Sequence, residues 1–126
     1  MAMGTLLASA SRTATTSAAA PTNVERYRGV MLILDVTTAV AAETLTLQVE
    51  VFDPASATWE AITGFAATAA EFSGEKVYVI YPGAVETAAI ADQEVAGIPV
   101  PYRWRATITH SASGAWTYSL GYHDLP

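Results

Sequence analysis

The side chains that could carry chemistry are few, and their spacing does not indicate a catalytic centre. The chain has no cysteine, which excludes a thiol nucleophile, a disulfide framework and a cysteine-based zinc or iron–sulfur site. Its two histidines, His110 and His123, do not lie at a spacing typical of zinc ligands. Neither a G-x-S-x-G motif nor a glycine-rich phosphate loop is present. We therefore predict that the protein is not an enzyme, and that it uses no metal and no other cofactor.

Pairs of carboxylates are the remaining candidates for catalysis, and a structural role suits them better. Glu43 and Glu50 are an odd number of positions apart, so a regular strand points them to opposite faces. Glu71 and Glu75 flank a Ser-Gly turn, where acidic side chains are usually solvated. We find no pair whose placement favours glycoside hydrolysis.

Arg103 and Arg105 share one face of the segment 102–110, whose other face is aromatic and apolar. Their guanidinium groups could pair with carboxylates of a partner or of an adjacent strand. With 12 acidic residues against six basic ones, the balance favours pairing inside the chain. Both residues nevertheless remain candidates for partner binding.

The aromatic residues could form a platform for stacking sugars or the interior of a β-sandwich. They are Trp59, Tyr81, Tyr102, Trp104, Trp116, Tyr118 and Tyr122. The loop 111–114 between Trp104 and Trp116 predicts a hairpin that carries both indoles on one face. Core filling is the better interpretation, because large aromatic side chains dominate core energetics.

The composition excludes two classes of partner. Hydrophobic residues make up 52% of the chain and charged residues 14%, and the net charge is −6. Because a few cations on an acidic chain cannot neutralise a run of phosphates, we expect no nucleic acid partner. The longest apolar run, Val30 to Leu34, is too short to span a bilayer, so we expect no membrane partner.

A period of two governs the elements that position these side chains. The clearest case is the segment 43–51, where Leu45, Leu47 and Val49 alternate with polar residues. Several further short segments with turn signals between them predict an all-β fold: a single antiparallel β-sandwich, jelly-roll-like, with about eight strands. We expect the core to contain Leu45, Leu47, Val49, Val79, Trp104, Ile108, Trp116 and Tyr118.

The segment 84–100 breaks this rhythm. Val85, Ala88, Ala89 and Asp92 have helical spacing, and Gly97 and Pro99 end the pattern. We interpret the segment as a surface excursion with one helical turn. Long ordered loops of this kind often bind partners.

Residues 1–24 differ from the β-sandwich domain predicted for residues 25–126. Most of them are Ala, Ser or Thr, which offer too little apolar area to pack a core. We expect an extended N-terminal arm that lies across a neighbouring subunit by strand addition. Leu6, Leu7 and Arg12 are its candidate partner-binding residues, with Arg12 pairing with a carboxylate of the partner.

Several short blocks, in this order along the chain, carry a resemblance. They are Ala8–Thr15, Arg28–Thr37, Asp53–Ser56, Tyr81–Gly83, Tyr102–His110 and Thr117–Tyr122. Together they are similar to a group of small proteins of tailed bacteriophages and prophages. The resemblance implies a component of the phage particle, and it supplies no catalytic residues.

The function that we expect is that of a virion structural protein. The first hypothesis is a capsid decoration (cement) protein, assembled in the host cytoplasm, that binds the major capsid protein on the outer head surface. It would act as a homo-oligomer, for which a trimer is one arrangement. The alternatives are a tail, neck or fibre-attachment protein that binds other virion proteins, and a carbohydrate-binding or depolymerase accessory module.

Overall fold

A computed structural model describes residues 2–19, 27–72, 74–87 and 93–126. Most of these residues form β-strands, and one 3-10 turn spans Ala69–Glu71. The strands are β1 (Met3–Arg12), β2 (Thr16–Ala19), β3 (Gly29–Thr38), β4 (Thr44–Asp53), β5 (Thr58–Thr68), β6 (Glu75–Ile80), β7 (Gln93–Ala96), β8 (Trp104–His110) and β9 (Trp116–Leu125). No helix among the described residues is long and apolar enough to span a lipid bilayer.

The strands form two sheets that pack face to face. The large sheet has the order β1-β9-β3-β6-β7, and the small sheet has the order β2-β8-β4-β5. With β7 set aside, the strands pair from the outside inward: β1 with β9, β2 with β8, β3 with β6, and β4 with β5. A long antiparallel hairpin wrapped in this way is a jelly roll. The predicted all-β, jelly-roll-like sandwich is confirmed, with the addition of β7, which pairs parallel to β6.

The N-terminal segment is part of this sandwich over the residues that the structure describes. β1 pairs with β9 at the edge of the large sheet, and β2 pairs with β8 at the edge of the small sheet. The expectation of an arm separate from the domain is therefore wrong for residues 2–19, because backbone pairing orders a segment whose side chains are small. The expected boundary between residues 24 and 25 lies outside the described residues.

The core fills the space between the inner faces of the two sheets. Seven of the eight expected core residues have relative exposures of 3% or less, namely Leu45, Leu47, Val49, Trp104, Ile108, Trp116 and Tyr118. The prediction is wrong for the eighth, Val79, which is only half-buried. Lys76, Tyr78 and Ile80 are the residues of β6 that point inward.

The expected hairpin between Trp104 and Trp116 is also wrong. β8 belongs to the small sheet and β9 to the large one, so the loop between them crosses from one sheet to the other. Both indoles are nonetheless buried, and they enter the core from opposite sheets.

One end of the sandwich, which we call the loop end, is the end at which β4, β6 and β9 finish. There the β4–β5 turn, the segment 81–87 and the segment 97–103 lie beside the end of β9. The amide of Val100 donates to the carbonyl of Arg28, and that of Phe52 donates to Arg103. The segment 84–100 is not only the predicted surface excursion, because it contains the strand β7. Most of the predicted helical turn lies outside the described residues.

Candidate binding groove

An apolar groove lies at the loop end of the jelly roll. It consists of two adjoining cavities of about 390 Å³ and 370 Å³, which share Val51 and Pro101. Ile62, Ile98 and Pro99 complete the first cavity, and Phe52, Pro54, Tyr102 and Arg103 complete the second. One part of the groove is therefore aliphatic, and the other is aromatic with one cation.

A bulge in β5 contributes Ile62 to the groove. Val49 pairs with Thr63 and Glu50 pairs with Ala61, which leaves Ile62 as the extra residue between them. A bulge bends the strand and redirects its side chain. Ile62 is half-buried, and it packs against the edge of the core beneath the groove.

The opposite wall comes from the segment 97–103, which crosses from β7 in the large sheet to β8 in the small one. Pro99 and Pro101 have no amide hydrogen, so neither residue can donate to a hydrogen-bonded ladder. Val100, which is 7% exposed, fixes it by packing into the core and by donating its amide to Arg28 at 3.0 Å. The wall is thus held at its centre.

The turn that carries Pro54 is stabilised by Asp53. Its carboxylate accepts hydrogen bonds from the amide of Ala55 at 2.9 Å and from the hydroxyl of Ser56 at 2.8 Å. These bonds favour the charged form and lower the pKa of Asp53. Ala57 completes the turn in the left-handed region, with φ of 56°.

Two arginines and two aromatic rings form a cluster beside the groove. The guanidinium of Arg103 lies 3.8 Å from the ring centroid of Phe52 and 5.6 Å from that of Trp59. The guanidinium of Arg105 lies 4.6 Å from the ring centroid of Trp59. We call these four residues the arginine–aromatic cluster.

The two arginines of the cluster differ in their electrostatic partners. Nε of Arg105 donates to Oε1 of Glu50 at 2.9 Å, and the hydroxyl of Thr107 donates to the same oxygen. The balance of charges therefore predicted the pairing of Arg105 correctly. Arg103 is exposed, and it forms no ion pair with any carboxylate among the described residues.

Tyr102 adds an exposed ring to the same wall. Its relative exposure is 63%, which makes it one of three exposed large hydrophobic residues among those described, with Met3 and Val85. The alternation of the sequence placed Tyr102 on the same face as Trp104. However, β8 begins only at Trp104, so Tyr102 follows the path of the preceding loop instead.

The candidate residues of the N-terminal segment lie far from the groove in the sequence and contact their own chain. Leu6 and Leu7 are half-buried against the core. Arg12 donates to the carbonyls of Ala8 at 2.6 Å and Tyr118 at 2.7 Å, and it lies over the Tyr118 ring. β1 is irregular between Leu7 and Ala10, and the guanidinium of Arg12 already binds backbone oxygens of its own chain. Its pairing with a carboxylate of a partner stays a prediction.

A pair of hydrogen-bonded polar side chains, His110 and Tyr118, lies in the half of the sandwich away from the groove. Nε2 of His110 and the hydroxyl of Tyr118 are 2.8 Å apart, while Nδ1 of His110 is buried without a hydrogen-bond partner among the described residues. Burial lowers the pKa of His110 and raises that of Tyr118. Among the described residues no group of three or more His, Cys, Asp or Glu side chains could hold a metal ion.

Lys76, the only lysine of the sequence, is buried at the edge of the large sheet. Its Nζ lies 3.6 Å from Oε1 of Glu94 on β7, and its side chain is 5% exposed. The neighbouring Tyr78 packs against Phe65, and burial raises the pKa of its hydroxyl well above the usual value. This pair fastens β7 to β6 and faces no cavity described above.

Comparison of this chain with protein-family models, curated proteins and solved structures finds no match. What the groove binds must therefore follow from its own geometry. Sequence reasoning identified Arg103 and the segment 84–100, but it missed Val51, Ile62 and Pro101. These residues come from three separate segments, and the prolines flanking Val100 were the only local signal.

Proposed function

We propose that this chain is a structural protein of a tailed-phage particle that binds the major capsid protein on the outer head surface. It is a decoration protein that acts through binding and not through catalysis, and it works as a homo-oligomer. The groove at the loop end is the surface that contacts the capsid. The sequence blocks similar to those of phage proteins support the assignment to a virion.

The observation that carries this proposal is a preformed apolar groove on a closed jelly roll. The walls of the groove are fixed by the buried Val100, by the Asp53 turn and by the bulge at Ile62. A groove that exists before binding loses little conformational entropy when it is filled. The jelly roll is also an architecture of viral capsid domains, which is an analogy at the level of fold.

The net charge agrees with a position outside the head. A chain with 12 acidic and six basic residues would be repelled by packaged DNA and is better suited to the outer surface. A tail, neck or fibre-attachment position would satisfy the same condition. The copy number in the particle distinguishes these positions from the head.

Carbohydrate binding is the second candidate, and the exposed ring of Tyr102 is the observation in its favour. Lectins also use jelly rolls. However, sugars need several polar groups that converge on their hydroxyls, and the groove is lined mainly by proline and aliphatic residues. The lining therefore favours a protein partner.

Binding of purified protein to phage heads that lack it tests the proposal. Tyr102→Ala removes an exposed ring from the groove, so the variant should fold normally and bind heads about 10-fold more weakly, as expected for an aromatic anchor. Ala112→Asp, in an exposed loop at the other end of the sandwich, is the matched control and should bind like the wild type. Equal binding by all three proteins, or no binding by the wild type, would contradict the proposal.

A further inference from the structure

We propose that the groove takes an extended peptide segment of the partner protein, and that one acidic residue of this segment pairs with Arg103. Apolar residues of the segment fill the aliphatic cavity around Val51 and Ile62. The inference deepens the proposed function and rests on it for the identity of the partner. It adds the chemistry that the partner must present.

The shape of the groove suits an extended segment. Its two cavities share Val51 and Pro101 and therefore lie side by side. The first cavity is aliphatic, and the second is aromatic and cationic. A peptide that runs along this path meets Ile62 and Ile98 first and then Tyr102 and Arg103. This order of contacts predicts that the bound peptide has an apolar part at one end and an acidic residue at the other.

The chemistry of Arg103 supplies the charge complementarity. Stacking of its guanidinium on Phe52 at 3.8 Å occupies one face of the group and leaves the N–H edge for an acceptor. A carboxylate is the acceptor that matches this edge with two parallel hydrogen bonds. The chain has a net charge of −6, yet the exposed guanidinium of Arg103 forms no ion pair with a carboxylate among the described residues. This group can therefore attract a carboxylate of an acidic partner.

Arg105 shows what the same side chain does when it is already neutralised. It lies two residues further along the chain, it contacts Trp59 of the same cluster, and its Nε is bound to Glu50. Its charge is therefore satisfied inside the protein. Arg105 provides a control that matches Arg103 in residue type and neighbourhood and differs in electrostatic state.

Selection from a library of random decapeptides displayed on yeast tests the inference with a defined probe. The wild type should enrich peptides that combine apolar residues or proline with one Asp or Glu. The Arg103→Gln variant should lose the acidic preference and keep the apolar one, whereas Arg105→Gln should select like the wild type. Melting curves of both variants establish that they are folded.

A double-mutant cycle on the best peptide then measures the pairing. Changing its acid to the amide, or Arg103 to Gln, should each weaken binding about 10-fold, as expected for a charge-assisted hydrogen bond. The two changes together should weaken binding little more than either change alone. Additive losses, or a selection without acidic residues, would overturn the inference.

The other occupants of the groove give different results. Binding of glycans on an array that Tyr102→Ala abolishes, or self-association that Arg103→Gln abolishes, would also overturn it. Failure of the peptide selection with intact binding to phage heads would refute this inference and leave the proposed function standing. Successful selection by a protein that binds no phage particle would refute the proposed function alone.

Discussion

Three arginines of this chain differ in their surroundings, and those surroundings determine what each can do. Arg12 binds the carbonyl oxygens of a bulged strand, Arg105 binds the carboxylate of Glu50, and Arg103 stacks on Phe52. A guanidinium that is already hydrogen-bonded gains little from a partner, since it would have to exchange existing bonds for new ones. Only Arg103 of these three therefore contributes to the proposed groove.

Trp104 should make one of the largest side-chain contributions to stability. It is 3% exposed in the core between the sheets, so Trp104→Ala should lower the free energy of unfolding by about 3–5 kcal/mol. Trp59→Ala is the control, because its half-buried indole lies outside the core and its loss should cost less. Urea denaturation measures both, and equal losses would show that Trp104 does not fill the core as described.

His110 should make the stability depend on pH. Burial holds its pKa below the ordinary value of 6.5, so the unfolded chain binds this proton more readily than the folded one. This contribution to stability is complete above pH 6.5, and it is lost as the pH falls through 6.5 towards the pKa of the folded state. Glu43 opposes the shift, while Arg12 reinforces it.

Melting temperatures at about pH 7.5 and about pH 5.5 measure this effect, in a range above the titration of ordinary carboxylates. The wild type should melt at a lower temperature at the more acidic pH. The matched variant His110→Gln cannot bind the proton and should change less. The same change in both proteins would assign the effect to other groups.

At the scale of the elements, the sequence predicts the buried face of a strand correctly where the two faces differ in polarity. It fails where the two faces are similar. β4 alternates apolar and polar residues, and its inner face was predicted correctly through Leu45 and Leu47. β6 reads Glu-Lys-Val-Tyr-Val-Ile, with one charged residue on each face, so polarity alone does not decide which face is buried. The structure buries Tyr78 and Ile80 and leaves Val79 half-exposed, and the ring of Tyr78 packs against Phe65 of β5.

Local sequence patterns do not predict which strands pair with each other. A jelly roll joins the first strand to the last, and no feature of residues 3–12 specifies a partner more than 100 positions away in the chain. The small side chains of β1 predicted an arm for this reason, although its backbone pairs with β9. The groove has the same origin, since its walls come from β4, β5 and the segment before β8.

Removal of the N-terminal segment should therefore unfold the protein. Without residues 2–19, β9 and β8 would each lose a hydrogen-bonded neighbour, and the half-buried Leu6 and Leu7 would no longer cover the core. Circular dichroism and size-exclusion chromatography should show loss of β structure or aggregation. A monomeric, folded product would show that the segment is a dispensable arm after all.

Lys76 and Glu94 should respond unequally to mutation, because they are buried to different extents. Glu94→Gln leaves the ammonium group of a 5% exposed side chain without its countercharge, and it should cost roughly 1–3 kcal/mol. Lys76→Met leaves a carboxylate whose side chain is 35% exposed and can remain hydrated, so it should cost less. Chemical denaturation of the two variants gives the order, and the reverse order would contradict this account of the pair.

At the scale of the whole molecule, the jelly roll separates stability from binding. The described core lies between the sheets, and the opposite end is closed by short turns such as 39–43 and 111–115. At the loop end, the segment 97–103 and the strands β4 and β5 build the groove, and most of the described core residues lie outside it. Substitutions at exposed groove residues can therefore change binding while the fold persists.

Electron cryomicroscopy of purified phage particles tests the central claim most directly. The proposed function predicts many copies of this jelly roll on the outer head surface, each with its loop end against the capsid and a capsid segment in the groove between Val51 and Arg103. Particles without the protein, a single ring of copies at the neck or tail, or copies whose loop end faces solvent would contradict it.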